Sequence, residues 1–326
     1  MVKSHKGIEH TVKYYIENPP DKLTPKRALQ RIAGYIYADG GTRSTIYFIN
    51  SNINYLEDFV KSLRAAYGKQ VDQSLVCYGL ARAVDPEEAV SFRESLVDDA
   101  AYYAQRLGLH IKVRVYGSGG LFPQRHLTLM VTIKKPYRSK VIRALNATNT
   151  FGLDFLATYI NGDGYITMRS DKKGYVAYIK EQDQRKLRVL NEVIKSCLAV
   201  KPYNVPLSPK KLYRVQIPLS FHSAAALVVY GCDKALKSIP WYVNGRYFRF
   251  LEMVKDPEYI TVKGGIADRS TRLRQLMKAG YLTRVCKSPG NRPSIYKLSH
   301  KAMILYRAVK LAMNSQPKAL RALKLR

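Results

Sequence analysis

Nine residues occur twice in this chain in closely related form, and nothing else in the sequence restricts the possible fold as much. The first copy is Ile32-Ala-Gly-Tyr-Ile-Tyr-Ala-Asp-Gly40 and the second is Leu156-Ala-Thr-Tyr-Ile-Asn-Gly-Asp-Gly164. Their aspartates lie 163 − 39 = 124 residues apart. Each copy has the apolar and small residues of a compact helix and closes on Asp-Gly. Glycine is the usual left-handed stop after a helix, so Gly40 and Gly164 are expected to end helices in that conformation. Asp39 and Asp163 are not what stability selects, because a carboxylate there faces the negative end of the helix dipole, at a cost of about 0.3–1 kcal/mol. A feature that opposes stability and recurs marks a site, and a long-period recurrence implies two structural repeats.

The small residues explain how the copies could meet. Gly34 and Ala38 in the first, and Thr158 and Gly162 in the second, stand four apart, so each pair shares a helix face. Ala33 and Ala157 flatten the same neighbourhood. Packed notch to notch, the helices bring Asp39 and Asp163 side by side. Two such carboxylates repel, and a divalent cation is the natural compensation.

The flanking segments extend the repeat. Residues 1–24 are polar, contain Pro19-Pro20 and read as an N-terminal arm. Thr24-Pro25 supplies a cap and an N1 proline for a helix over 26–39. Residues 45–50 have strand composition, and 55–67 have helical periodicity. A strand over 74–84 follows, then a helix from the acidic start at Asp85 to about 107. Residues 111–116 and 126–133 read as paired strands, and 138–147 as a short helix. The second half runs helix 151–163, strands 165–169 and 175–180, helix 183–198, strands 203–207 and 212–218, and helix 221–230. Both halves thus read αββαββα, in an α+β fold, with 55–67 expected as an extra helix between the first two strands of the first half. This divides the chain into the arm, a first repeat over 25–149, a second repeat and helical connector over 150–255, and a C-terminal unit over 256–326. In that last unit a basic helix (269–279) precedes a hairpin whose tip, 287–293, is rich in turn formers. This is the element order of a winged helix.

Charge narrows the partner. Lys and Arg number 55 against 24 Asp and Glu, a formal +31. Such an excess on a folded chain is the electrostatic footprint of a polyanion, nucleic acid first. The four cysteines stand far apart without metal-ligand spacing, so they read as buried thiols in a reducing compartment. No secretory or membrane-spanning segment is evident. A cytoplasmic, nucleoid-associated location is expected, or an organelle in a eukaryote.

The two nine-residue copies, each heading an αββαββα unit, resemble the LAGLIDADG homing endonucleases of the single-chain, two-repeat type. The resemblance spans about residues 26–230 and leaves out the C-terminal unit. It implies a monomer with two four-stranded sheets forming a saddle on double-stranded DNA, and a Mg²⁺-dependent double-strand break, Mn²⁺ being able to substitute. Asp39 and Asp163 would be catalytic metal ligands, one per DNA strand, helped by the carbonyls of Ala38 and Gly162. Gly34, Ala38, Thr158 and Gly162 would form the helix interface. Lys134 and Gln216 would assist catalysis from the ends of the fourth strands. The departures are Tyr37 and Asn161, where the family often has a further Asp, and Thr158 in place of Gly. Base or phosphate contacts are expected from Arg43, Arg82, Lys112, Arg114, Arg125, Arg169, Lys180 and Arg214, and in the C-terminal unit from Arg269, Arg272, Arg274 and Arg292. An initial Met and a final Leu-Lys-Leu-Arg favour a free-standing protein over an intein. Two alternatives on the same fold are an intron RNA maturase and a non-cleaving, DNA-binding transcriptional regulator.

Overall fold

The computed structural model describes residues 22–42, 45–83, 89–117, 124–147, 151–171, 174–207 and 212–239. It also describes 254–258, 260–261, 276–278, 282–286, 295–299, 302–303, 306–307 and 310. The architecture is α+β, with antiparallel pairing throughout except at one edge.

The first repeat opens with α1 (Pro25–Asp39), whose N-cap Thr24 accepts a hydrogen bond from the Arg27 N–H at 3.4 Å. The chain then passes through β1 (Gly40–Gly41) and β2 (Ile46–Asn50) into α2 (Ile53–Tyr67), and a 3₁₀ turn over Lys69–Ser74 leads to β3 (Leu75–Ala83). Next come α3 (Ala89–Ser95), α4 (Val97–Leu107), β4 (Ile111–Gly117), β5 (Gln124–Ile133) and α5 (Tyr137–Ala147). The second repeat is α6 (Leu153–Asp163), β6 (Tyr165–Met168), β7 (Tyr175–Glu181), α7 (Gln184–Leu198), β8 (Tyr203–Pro206), β9 (Tyr213–Leu219) and α8 (Phe221–Val229), closed by a 3₁₀ turn at Asp233–Ser238.

The sheets show what is repeated and what is added. The second sheet has the order β6-β7-β9-β8 and the first β1-β2-β5-β3-β4. Matching them strand for strand places α2 where α7 stands, so residues 55–67 belong to the repeat and are not an insertion. The short β1 had no sequence signal, because Gly-Gly has no β propensity. The addition is α3, α4 and the edge strand β4. Residues 111–116 do not pair with 126–133; β4 lies parallel to β3, with Tyr78 opposite Lys112 and Leu80 opposite Arg114. A helical crossover between two strands permits that parallel return. The helix expected to run unbroken to residue 107 is divided at Leu96, which leaves helical geometry at φ −96°, ψ 1°.

Gly40 and Gly164 do end their helices, but in extended geometry, at φ −113° and −84°. Close approach is what requires glycine here. A Cβ on Gly40 would lie 2.4 Å from the Tyr47 carbonyl oxygen, and one on Gly164 would lie 2.8 Å from Ile160 Cα. The chain turns directly from helix into strand, leaving no room for a left-handed residue.

Helices from both repeats share one apolar core, in which Ile32, Tyr35, Phe48 and Phe59 join Phe155, Leu156, Tyr159 and Ile179. In the C-terminal unit, β10 (Ile260–Thr261), β11 (Leu282–Cys286) and β12 (Ile295–Leu298) form a three-stranded antiparallel sheet, with Leu282 paired to Leu298. The hairpin of the expected winged helix is therefore present. Its basic helix lies outside the described residues apart from 276–278. Cys77, Cys197 and Cys232 are buried.

Candidate functional site: the paired helix ends

Helices α1 and α6 pack along the faces that carry their small residues. A Cβ on Gly34 would lie 2.0 Å from Thr158 Oγ1 and 2.4 Å from the Phe155 carbonyl oxygen. One turn further on the roles reverse: a Cβ on Gly162 would lie 2.5 Å from the Ala38 Cβ. Each level of the crossing therefore joins one glycine to one larger residue of the other helix. Thr158 is fully buried, and its hydroxyl lies 2.9 Å from the Asp154 carbonyl oxygen on its own helix and 3.2 Å from that of Arg31 on the other. It belongs to the interface.

A buried polar cluster fastens the opposite ends of these helices. Arg27 donates to both Asp154 oxygens, at 2.8 and 3.0 Å. Arg31 donates to Asp58 of α2 at 2.6 Å and to the Tyr230 carbonyl at 2.8 Å. Tyr35 also donates to Asp58, at 2.8 Å.

The close packing brings the two C-terminal aspartates together. Asp39 Oδ2 lies 3.5 Å from where a Gly162 Cβ would be, and it accepts a hydrogen bond from Asn50 Nδ2 at 3.0 Å. Withdrawal from water raises the Asp39 pKa, opposed by the Asn50 hydrogen bond and by Lys234 and Lys186. The Asp163 pKa is pushed up to about 6, first by desolvation and then by the charges of Asp39 and Glu181, with Lys234 and Lys180 opposing. Glu181 is itself buried and accepts from the Tyr159 hydroxyl and from the Gln182 and Asp183 N–H groups.

Lys234 decides the chemistry of this corner. Its ammonium donates to the Gly162 carbonyl at 3.1 Å and to the Gly164 carbonyl at 2.6 Å. Burial lowers its pKa, while Cys232, Asp39 and Asp163 raise it. Lys186 plays a similar part at α1, donating to the Tyr37 carbonyl at 2.7 Å. Both helix C-termini thus carry a lysine on their last carbonyls, which the dipole favours. The donor set expected for Mg²⁺ was Asp39, Asp163 and the carbonyls of Ala38 and Gly162. In the structure the Gly162 carbonyl accepts from the Lys234 ammonium, whose charge offsets part of the burial and repulsion that raise the two carboxylate pKa values. Of that donor set, the Gly162 carbonyl is engaged by Lys234 and Asp39 Oδ2 by Asn50. Among the described residues no group of three His, Cys, Asp or Glu side chains is placed to hold a metal ion.

No protein-family model matches the chain, and no curated protein matches it significantly. Solved structures similar to it include two of DUF199/WhiA. One is described as the N-terminal LAGLIDADG domain of DUF199/WhiA, with 11% identity and a TM-score of 0.36, covering 71% of this chain and 95% of the other. The second is full-length DUF199/WhiA from Thermatoga maritima, with 10% identity and a TM-score of 0.39, covering 84% of this chain and 73% of the other. No helix among the described residues is long and apolar enough to cross a membrane.

The remaining expected site residues are scattered. Lys134 follows Ile133, which pairs with Ile46, whereas Asp39 bonds Asn50 opposite Leu129. Four residues of strand separate the two rows, about 14 Å at ~3.4 Å per residue, and Lys134 lies one residue further still. Gln216 lies in mid-strand, between Tyr178 and Tyr203. Lys112 and Arg114 are on the added strand β4, where the Arg114 guanidinium sits 4.2 Å from the Tyr78 ring centroid. Arg169 pairs with Asp171 at 2.8 Å in the β6–β7 turn. Lys180 and Arg214 face each other on β7 and β9. Arg43, Arg269, Arg272, Arg274 and Arg292 lie outside the described residues, as do the side chains of Arg82 and Arg125. Sequence reasoning missed Lys234, Lys186, Asn50 and Glu181. In a chain with 55 Lys and Arg, nothing local distinguishes two lysines that reach helix ends from elsewhere in the fold.

Proposed function

We propose that this chain binds double-stranded DNA without cutting it, as a regulator would, and that the paired helices fasten the two repeats instead of housing a metal. The observation that carries this reading is the Lys234 ammonium on the Gly162 and Gly164 carbonyls, beside both aspartates. It offsets part of their charge from within the protein. The formal +31 supplies the electrostatic attraction to phosphate. Two sheets flanking one helix pair present two faces to a duplex.

The second reading is a metal-dependent endonuclease, favoured by the presence of an aspartate at both helix ends. The test is incubation of the whole chain with a library of long duplexes in Mg²⁺ and in Mn²⁺, with binding and strand breaks measured in parallel. Retention of duplexes with no break is the expected result. Breaks at a defined sequence that disappear in Asp39→Asn would establish the nuclease instead.

A further inference from the structure

Two arginines on the open sheet faces are held over tyrosine rings, one in each repeat. On the first sheet Cys77 and Ala81 of β3 are buried, so by the alternation of a strand Tyr78 lies on the face turned away from the helices. Lys112 of β4 stands opposite Tyr78, and two residues on the guanidinium of Arg114 lies 4.2 Å from the Tyr78 ring centroid. On the second sheet Ile179 of β7 and Val215 and Ile217 of β9 are buried, which puts Tyr178, Lys180 and Arg214 on the corresponding face. Lys180 stands opposite Arg214, whose guanidinium lies 5.1 Å from the Tyr178 ring centroid. Tyr178 is backed in turn by Tyr165, with ring centroids 4.9 Å apart. Each repeat thus sets an arginine on a ring with a lysine beside it, although the strands that supply them differ.

Aromatic faces attract a guanidinium without using its N–H donors. Holding it there also removes part of the rotamer freedom that a new contact would otherwise cost. The Arg214 Nε is buried and has no hydrogen-bond partner among the described residues. Like charges directly opposite on neighbouring strands are unfavourable, so the Lys180–Arg214 pair calls for an anionic or acceptor-rich partner. By contrast, Arg169 is already spent on Asp171. In the major groove of a duplex, guanine presents two acceptors, N7 and O6, that match the fork of an arginine. Lysine is a point charge on a flexible stem and suits a phosphate.

We propose that Arg114 and Arg214 each read one guanine through N7 and O6, in opposite halves of the duplex site, with Lys112 and Lys180 on the neighbouring phosphates. This rests on the duplex-binding reading above and adds to it the bases that are selected.

The experiment retains duplexes from a randomised library on the full chain, sequences them, and measures affinities by fluorescence anisotropy. The selected site should carry a guanine in each half. Arg114→Ala should erase the preference for guanine over adenine in one half and Arg214→Ala in the other, each by about 5- to 150-fold. Arg114→Lys and Arg214→Lys keep the charge and should lose the same preference while binding unselected duplexes within twofold of the unmutated chain. Placing 7-deazaguanine at either position removes one acceptor; it should weaken the unmutated chain and leave the corresponding alanine variant unaffected. Lys112→Ala and Lys180→Ala should weaken all sequences alike and each reduce the salt slope by about 0.9. Arginine variants that keep the guanine preference would overturn the inference, as would an arginine loss spread evenly over all sequences. If the unmutated chain binds duplexes without base preference, this inference alone fails; if it retains no duplex, the duplex-binding reading fails with it.

Discussion

At the residue scale, the two glycine contacts of the helix crossing differ in a way that substitutions can separate. A methyl group on Gly162 meets only one close atom, the Ala38 Cβ at 2.5 Å, with the Ala38 Cα at 4.0 Å. Gly162→Ala should therefore cost about 1–3 kcal/mol by overpacking, and adding Ala38→Gly should restore most of it. A methyl on Gly34 also strikes the Phe155 backbone oxygen at 2.4 Å. Thr158→Gly should then fail to rescue Gly34→Ala. Urea unfolding of the four variants measures both outcomes. Asp163 gives a pH prediction. Its folded pKa of about 6 lies above its ordinary 3.8, so between these values the native state holds a proton that the unfolded chain has released. Stability attributable to this group falls as pH rises through about 4 to 6 and is flat above. The difference in unfolding free energy between the protein and Asp163→Asn should show that slope. A difference independent of pH would remove Asp163 from the coupled corner.

At the element scale, α1 is held against α2 and α6 by charge as well as by apolar packing. Arg31 and Asp154 are nearly inaccessible, and each has more than one partner. Removing one partner of such a cluster leaves a buried charge uncompensated, so Arg31→Met should destabilise by about 3–5 kcal/mol. Thermal unfolding read by circular dichroism checks it; a loss below 1 kcal/mol would mean the cluster is dispensable. Most elements were legible in the sequence, because apolar periodicity, the Thr24 cap and the Asp-Gly stops are local signals. Pairing was not. Strand β4 carries the same alternation whichever neighbour it takes, and only the crossover through α3 and α4 places it parallel to β3. Lys234 is similar: its sequence neighbours give no hint that its ammonium reaches the end of α6.

At the scale of the whole molecule, the two repeats share one strand order, to which the first adds an edge strand bearing Lys112 and Arg114. If charge drives binding, the logarithm of duplex affinity should fall linearly with the logarithm of salt concentration, with a slope near −0.9 per phosphate contacted. A salt-independent affinity would contradict the electrostatic reading. By itself the sequence determined that there are two repeats, that their small-residue helices can meet, and that the chain carries a formal +31. Periodicity, residue size and net charge survive any arrangement of the chain. Only the tertiary structure decided what the paired aspartates face. Charge compensation depends on distance, and the lysine that supplies it lies 71 residues beyond Asp163 in the chain, 234 − 163. It reaches the helix end because the closing turn of the second repeat folds back over it.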